Sequence, residues 1–290
     1  MDLAGNRNEY NIDIKGHAYN LSARTHIMGV LNVTPDSFSD GGDYFDFHKA
    51  VERAFQMERE GADFIDIGGE STRPGAEKIS SEEEERRVIP VIKILSSELS
   101  IPISIDTYKA SIAENAVKAG AALINDISGL RFDPAMVEIA AKYSVPVIVM
   151  HIKGTPKNMQ KNPVYNNLLR EISDYLSESI EIAVDANISP HKIIVDPGIG
   201  FGKTVEDNLN LINNLNYFHK LHCPILIGVS RKSFIGKIID RKEKERIFGT
   251  AAAVAASVIK GANIVRVHDV KEMVQVVNII DKITTKHLAI

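Results

Sequence analysis

Short continuous runs of β-branched and other apolar residues recur along the chain, each followed by a polar stretch and then an amphipathic segment. Eight such runs occupy residues 27–31, 64–67, 101–105, 122–124, 145–150, 193–195, 225–227 and 264–267. Runs this short, without regular polar alternation, read as strands covered on both faces, as in a parallel sheet. Between them, apolar positions at helical spacing predict helices over roughly 47–61, 82–98, 108–120, 134–143, 165–187, 205–215, 245–260 and 269–285. Ser80 and Ser81 ahead of Glu82, Glu83, Glu84 and Glu85 form a capping-box arrangement with acids at the positive end of the helix dipole. Gly61, Gly120 and Gly261 fall where helices stop, as left-handed caps do.

Eight strand–helix units with no linker between them leave a closed parallel barrel or a very large doubly wound sheet. Even spacing and the count of eight favour the barrel. The expected fold is therefore α/β, a (β/α)8 TIM barrel forming one domain over residues 1–290. Ile12, Ile14, His17 and Tyr19 alternate loosely and predict a short N-terminal hairpin that plugs the barrel bottom.

Polar residues sit at one end of these strands. Asn32 follows the first run, Asp66 lies in the second with Glu70, Ser71, Thr72 and Arg73 beyond it, and Asp106 ends the third. Asn125 and Asp126 end the fourth, His151 the fifth and Asp196 the sixth. Ser230, Arg231, Lys232 and Ser233 follow the seventh, while Arg266 and His268 close the eighth. In a barrel these ends share one mouth, where active sites lie. Turn and cap duty would explain any one of these residues; a charged or polar group at all eight ends points to a site. Two connections, 32–46 with Pro35, Gly41 and Gly42, and 68–80 with Pro74 and Gly75, exceed the usual ~2–6 residues and suit loops that close over a substrate.

Composition narrows the class. With 34 Lys and Arg against 38 Asp and Glu the net charge is −4, without the basic excess of a dedicated nucleic-acid binder. A single cysteine excludes an internal disulfide and fits a reducing compartment. The most apolar stretch, residues 251–259, is far shorter than the ~20 residues a membrane span needs. Residues 1–10 are polar and lack a secretory hydrophobic region, so a cytoplasmic enzyme is expected. Other motifs fail: Gly198-Ile-Gly-Phe-Gly-Lys-Thr204 has Pro197 where a Walker loop needs glycine and Lys203 where a dinucleotide loop does. His219, His222 and Cys223 precede a strand, at the wrong end of the barrel for a metal or thiolate site.

Taken in order, the polar segments resemble one family. Asn32-Val-Thr-Pro-Asp-Ser-Phe-Ser-Asp-Gly-Gly42 resembles the first signature of dihydropteroate synthases, and Gly68-Gly-Glu-Ser-Thr-Arg-Pro-Gly75 their second loop. Ser104-Ile-Asp-Thr107, Ile124-Asn-Asp-Ile-Ser-Gly129, Val195-Asp-Pro-Gly-Ile-Gly-Phe-Gly-Lys203, Ser230-Arg-Lys-Ser233 and Arg266-Val-His268 are similar to that family's segments too, so the resemblance spans residues 27 to about 268. It implies condensation of 4-aminobenzoate with 6-hydroxymethyl-7,8-dihydropterin diphosphate, releasing pyrophosphate, in folate synthesis. It also implies Mg²⁺, a homodimer and inhibition by sulfonamides.

The residues can be set against that chemistry. A pterin offers amide and amino donors beside a carbonyl acceptor. Asp196 can take a paired contact from those donors, Asn125 can donate and accept, Asp106 can accept, and Lys232 can donate to the carbonyl or a ring nitrogen. Met150 and Phe201 would flank the ring, with Arg266 on its face. For the diphosphate the partners are Asn32, Thr72, Arg73, Arg266 and His268, with the Asn32 amide oxygen a hard ligand for Mg²⁺. Thr72, Pro74, Phe38 and Ser233 would line the aminobenzoate site, and Asp40 would help hold the first loop closed. No side-chain nucleophile is required, because pyrophosphate leaves readily once its charge is neutralised. Asn32, Arg73, Asp106, Lys232, Arg266 and His268 are thus the expected catalytic set, acting by positioning and electrostatics. Two alternatives stay open. A pterin-binding methyltransferase would share the Asp and Asn contacts but is not expected to carry Ser71-Thr-Arg-Pro-Gly75 or Ser230-Arg-Lys-Ser233. A non-catalytic pterin-binding module would need no leaving-group machinery.

Overall fold

The computed structural model describes residues 9–34 and 42–284. Phe38 and Asp40, the two expected site residues of the first loop, lie outside them.

A two-stranded antiparallel hairpin, β1 (Asn11–Ile14) and β2 (His17–Asn20), comes first. Eight parallel strands follow: β3 (His26–Asn32), β4 (Phe64–Gly68), β5 (Ile103–Asp106), β6 (Leu123–Asp126), β7 (Val147–Met150), β8 (Ile193–Asp196), β9 (Leu226–Ile227) and β10 (Ile264–Val267). Their hydrogen-bonded order is β8-β7-β6-β5-β4-β3-β10-β9. A parallel bridge between Val195 and Ile225 joins the two ends, with the Val195 N–H donating to the Pro224 carbonyl at 3.0 Å. The sheet is a closed barrel, as the run count predicts.

Helices α1 (Gly42–Glu60), α2 (Ser81–Glu98), α3 (Ala110–Ala119), α4 (Met136–Tyr143), α5 (Leu168–Asp185), α6 (Val205–Asn213), α7 (Ser233–Ile239), α8 (Ile247–Ile259) and α9 (Val270–Thr284) surround it. Ser80 caps α2 by accepting the Glu83 N–H at 3.2 Å. Two expectations need correction. Helix α1 begins at Gly42 rather than near residue 47, which shortens the first loop. Helix α7 appears in no sequence pattern: it has only 7 residues, too few for a helical period to show. None of the helices in the described residues is long and apolar enough to cross a membrane.

Because side chains alternate along a strand, residues two apart share a face. The outward residues, Ile65 and Ile67, Ile103 and Ile105, Val147 and Val149, and Val265 and Val267 among them, pack in one large core with the helices. The inward residues form two layers. The lower one is apolar, Met28, Phe64, Leu123, Ile148, Ile194, Leu226 and Ile264, and is sealed from below by Ile12, Ile14 and Leu21 of the hairpin segment. The plug is therefore present. One alternation higher, the same strands carry Asp66, Asn125, Met150, Asp196 and Arg266. Bonding a polar layer onto an apolar floor is what makes a site of this barrel's mouth.

Candidate active site

Arg266 ties that upper layer together. Its Nε donates to Asp66 Oδ2 at 2.5 Å and its Nη2 to Asp106 Oδ2 at 2.6 Å, joining β10 to β4 and β5. Asn125 adds a donation from Nδ2 to the same Asp66 oxygen at 2.9 Å. Burial works against the Arg266 charge, but Asp66 and Asp106 more than offset it and hold the guanidinium above its usual range. Burial pushes the Asp106 carboxyl up to about 7, against the opposing pull of Arg266. Asp66 Oδ1 and Asp106 Oδ1 are buried with no partner in the structure, so both carboxylates retain unused acceptor capacity.

On the other wall, Asp196 Oδ1 accepts the Gly198 N–H at 2.7 Å, which orients the carboxylate. Burial raises its carboxyl to about 6. Gly198 has φ +72°, and a Cβ there would lie 1.9 Å from the His151 carbonyl oxygen, so the chain can turn this tightly beneath β7 only as glycine. The loop then presents Phe201, whose ring carries the Lys232 ammonium 4.2 Å from its centroid. Burial lowers Lys232 to about 8, with the nearby Arg266 charge adding to the effect. Met150 packs with Phe201, Tyr108, Ile127, Ile152 and Met159, a soft apolar wall between the polar groups. Gly68 sits between Asp106 and Asn32: a Cβ on it would lie 3.6 Å from Asp106 Oδ2 and 3.8 Å from Asn32 Oδ1. Asn32, Asp106, Asn125, Met150, Asp196, Phe201, Lys232 and Arg266 therefore meet at one mouth.

His268, the expected diphosphate partner at the end of β10, is held by Ser230. Its backbone N–H donates to Ser230 Oγ at 3.2 Å, and its Nδ1 lies 3.0 Å from the same oxygen. Burial, helped by the charges of Arg231 and Arg266, lowers it to about 3. With that shift the neutral ring is favoured, and it offers one N–H. The Arg73 side chain is 65% exposed and donates to Glu243 Oε1 at 2.8 Å. Thr72 is half-buried, while Pro74 and Ser233 are exposed at the rim. A cavity of about 350 Å³ lies against this loop, lined by Thr34, Ser71, Arg73, Pro74 and Arg87 among others.

No group of three His, Cys, Asp or Glu side chains among the described residues could hold a metal ion. The donor set nevertheless fits Mg²⁺, which takes one or two protein oxygens and draws the rest from substrate phosphates and water. Asn32 Oδ1, beside Asp106 in the mouth, is the hard neutral oxygen available for that purpose.

Residues 28–268 match the family described as pterin binding enzyme. The chain is 49% identical over 275 residues to the dihydropteroate synthase of Bacillus subtilis (strain 168), covering 95% of this chain and 94% of that protein. This chain belongs to the dihydropteroate synthase family. Solved dihydropteroate synthases superpose closely. That of Yersinia pestis, in a sulfonamide drug complex, gives a TM-score of 0.90 at 42% identity, covering 94% of this chain and 98% of that one. That of Xanthomonas albilineans with 4-aminobenzoic acid gives 0.90 at 39%, covering 96% and 99%.

The structure also brings two charged residues that the sequence pattern left without a role, Asp66 and Lys203, against the groups of the mouth. Asp66, fully buried, organises both Arg266 and Asn125. Lys203 lies beneath the Phe201 loop, donating to the Phe201 carbonyl at 3.0 Å and meeting His151 Nδ1 at 2.9 Å. Burial lowers Lys203 to about 7. For Asp66 the available signal was a charged residue inside an apolar run, which has to be paired when it is buried. Cys223 is buried before β9, and burial raises its thiol to about 12, consistent with an inert packing role.

Proposed function

We infer that the chain is a transferase of folate biosynthesis that joins 4-aminobenzoate to 6-hydroxymethyl-7,8-dihydropterin diphosphate and releases pyrophosphate. The observation that carries this reading is the convergence of Asp196, Asn125, Asp106, Lys232 and Arg266 around one cavity mouth in a chain of this family. Asp196 and Asn125 supply acceptors for the pterin's amino and ring N–H groups, and Lys232 supplies a donor for its carbonyl or ring nitrogen. The ring lies between Met150 and Phe201. Arg266, locked by two carboxylates, presents a fixed planar cation beside it.

The reaction breaks the C–O bond to the diphosphate and forms a C–N bond to the arylamine, whose proton leaves with the released anions. Ionisation comes first, because the pterin is electron-rich and stabilises the cationic carbon; the amine then attacks. The protein's part is to hold both partners in line, to oppose the growing negative charge, and to keep water from the cation. Asn32 Oδ1 would hold Mg²⁺ together with substrate phosphate oxygens, and when bound the ion offsets the diphosphate's charge. Arg73 and the single N–H of neutral His268 would contact the diphosphate, with Thr72. Thr72, Pro74 and Ser233, joined by Phe38, would frame the aminobenzoate, the position that sulfonamides would compete for, and Asp40 would help to close the first loop.

We further propose a homodimer working in the cytoplasm. Phe248 and Ile259 on α8 are 86% and 42% exposed, and Ile279 and Ile283 on α9 are 62% and 67% exposed. Spacings of 11 and 4 residues bring each pair onto one side of its helix, and these two helices are neighbours. Phe248→Asp should convert the sedimenting species from two chains to one; an unchanged sedimentation coefficient would remove this face from the contact. For the activity itself, the purified chain is incubated with both substrates and Mg²⁺. Dihydropteroate and pyrophosphate should appear together, and absence of both from a folded preparation would overturn the assignment.

A further inference from the structure

The loop after β4 is tied at its neck by side chains to which the proposed chemistry assigns no part. Glu70 opens the loop and Ile79 ends it. Glu70 Oε2 accepts the Ile79 N–H at 3.3 Å and the Lys109 ammonium at 2.7 Å, while Oε1 accepts the Tyr108 hydroxyl at 2.7 Å. Lys109 also donates to the Ile79 carbonyl at 2.8 Å and to Glu84 Oε2, on α2, at 2.7 Å. Both backbone polar groups of Ile79 are thus bound to the Glu70–Lys109 pair. Arg87 adds a strap one residue earlier, donating to the Gly69 carbonyl at 2.9 Å.

This neck is protected from solvent. The side chains of Lys109, Glu70 and Glu84 are 15%, 7% and 1% exposed. Burial opposes the ammonium charge, but the bonds to Glu70 and Glu84 prevail and hold Lys109 above its usual range. The crown of the loop is the opposite: Arg73, Pro74 and Gly75 are exposed. A short closed neck under an exposed crown is the construction of an Ω-loop, in which a few fixed bonds restrict many residues. Lys109 moreover follows Asp106 by three positions, so the knot links this loop to the strand that carries an acceptor of the barrel mouth.

We propose that Lys109 is a positioning residue for the transfer reaction: clamped between Glu70 and Glu84, it fixes the neck of loop 70–79 and thereby holds Thr72, Arg73 and Pro74 over the barrel mouth. The proposal rests on the synthase reading and adds to it the device that sets the aminobenzoate side of the site. The knot borders the pterin wall at Tyr108, which packs with Met150 and Phe201, but Lys109 bonds to the loop and to α2, so its loss acts first on the aminobenzoate side.

The test compares Lys109→Met, Glu70→Gln and Lys109→Arg with the parent chain. Lys109→Met leaves two buried carboxylates facing each other; Glu70→Gln leaves one lysine with one glutamate and serves if the first variant fails to fold. In either, KM for 4-aminobenzoate should rise and kcat fall by about tenfold or more, while calorimetric affinity for a diphosphate-free pterin stays within about twofold. Trypsin should cut faster after Lys78, beside the neck, with cleavage elsewhere unchanged. Lys109→Arg, which keeps the charge, should recover most of the aminobenzoate KM. Parent-like kinetics and cleavage in a folded variant would overturn the proposal, as would pterin affinity falling in step with aminobenzoate KM. If the parent itself made no dihydropteroate, the synthase reading would fail, while faster cleavage after Lys78 would still support the neck and parent-like cleavage would reject it.

Discussion

Arg266 on β10 reaches across the barrel to Asp106 on β5, donating through Nη2 at 2.6 Å while its Nε holds Asp66. One cation therefore serves two carboxylates, one of them with no exposed surface. Replacing Arg266 by Met keeps the stem but strands both acids. Removing one partner of a buried ion pair typically costs about 3–5 kcal/mol, because the remaining charge is left uncompensated. Urea unfolding of Arg266→Met should show a loss of that size; a loss below about 1 kcal/mol would mean that the acids shed their charge at little cost.

Much of this architecture is legible in the chain. The short apolar runs mark strands because a barrel strand is covered on both faces, and the polar residue beyond each run marks the mouth. Within those runs the two-residue alternation, Phe64 to Asp66 and Ile264 to Arg266, already separates floor from site once the strands are known. What escapes is pairing over distance. Asp66 and Arg266 are 200 residues apart, and Arg73 and Glu243 are 170 apart. No local pattern announces such a partner. Helix α7 escapes for a different reason: Phe234 and Ile235 pack inward within two turns around Gly236, leaving no repeat to detect.

Asp196 offers a substitution with a defined geometry. Its Oδ1 is engaged by the Gly198 N–H, a bond that an asparagine oxygen can also accept. In Asp196→Asn the amide NH₂ then takes the other position, where donors of the pterin arrive. Donor faces donor, and the loss should be at least about 1–3 kcal/mol of pterin binding with the fold intact. Unchanged affinity in calorimetry would remove Asp196 from the pterin contact.

Arg73 should divide catalysis from stability. Its pair with Glu243 is largely exposed, and such pairs contribute about 0–1 kcal/mol. Arg73→Ala should therefore unfold within about 0.5 kcal/mol of the parent. Turnover should nevertheless fall more than pterin affinity, since a contact to the leaving diphosphate strengthens as its charge develops. Parent-like turnover in steady-state kinetics would take Arg73 out of the mechanism and leave it as a surface partner of Glu243.

The pterin site should itself respond to pH between its acid and its base. Asp196 must be ionised to accept two donors, and burial raises it to about 6, so binding is weakened below that pH and strengthens as pH rises through it. Lys232 must be charged to make its strong contact, and burial lowers it to about 8, so binding weakens again as pH rises through that value. Lys203, lowered to about 7, keeps N–H donors when neutral and can still serve the Phe201 carbonyl and His151. A diphosphate-free pterin avoids titration of the substrate's own phosphates, and Asp106, which burial pushes up to about 7, titrates on the same acid limb as Asp196. The affinity for that pterin should describe a bell between about 6 and 8. In Lys232→Arg the alkaline fall should disappear, because a guanidinium stays charged across this range. The same alkaline fall in parent and variant would assign it to another group, and would leave Lys232 as packing against Phe201 and not as a charged donor.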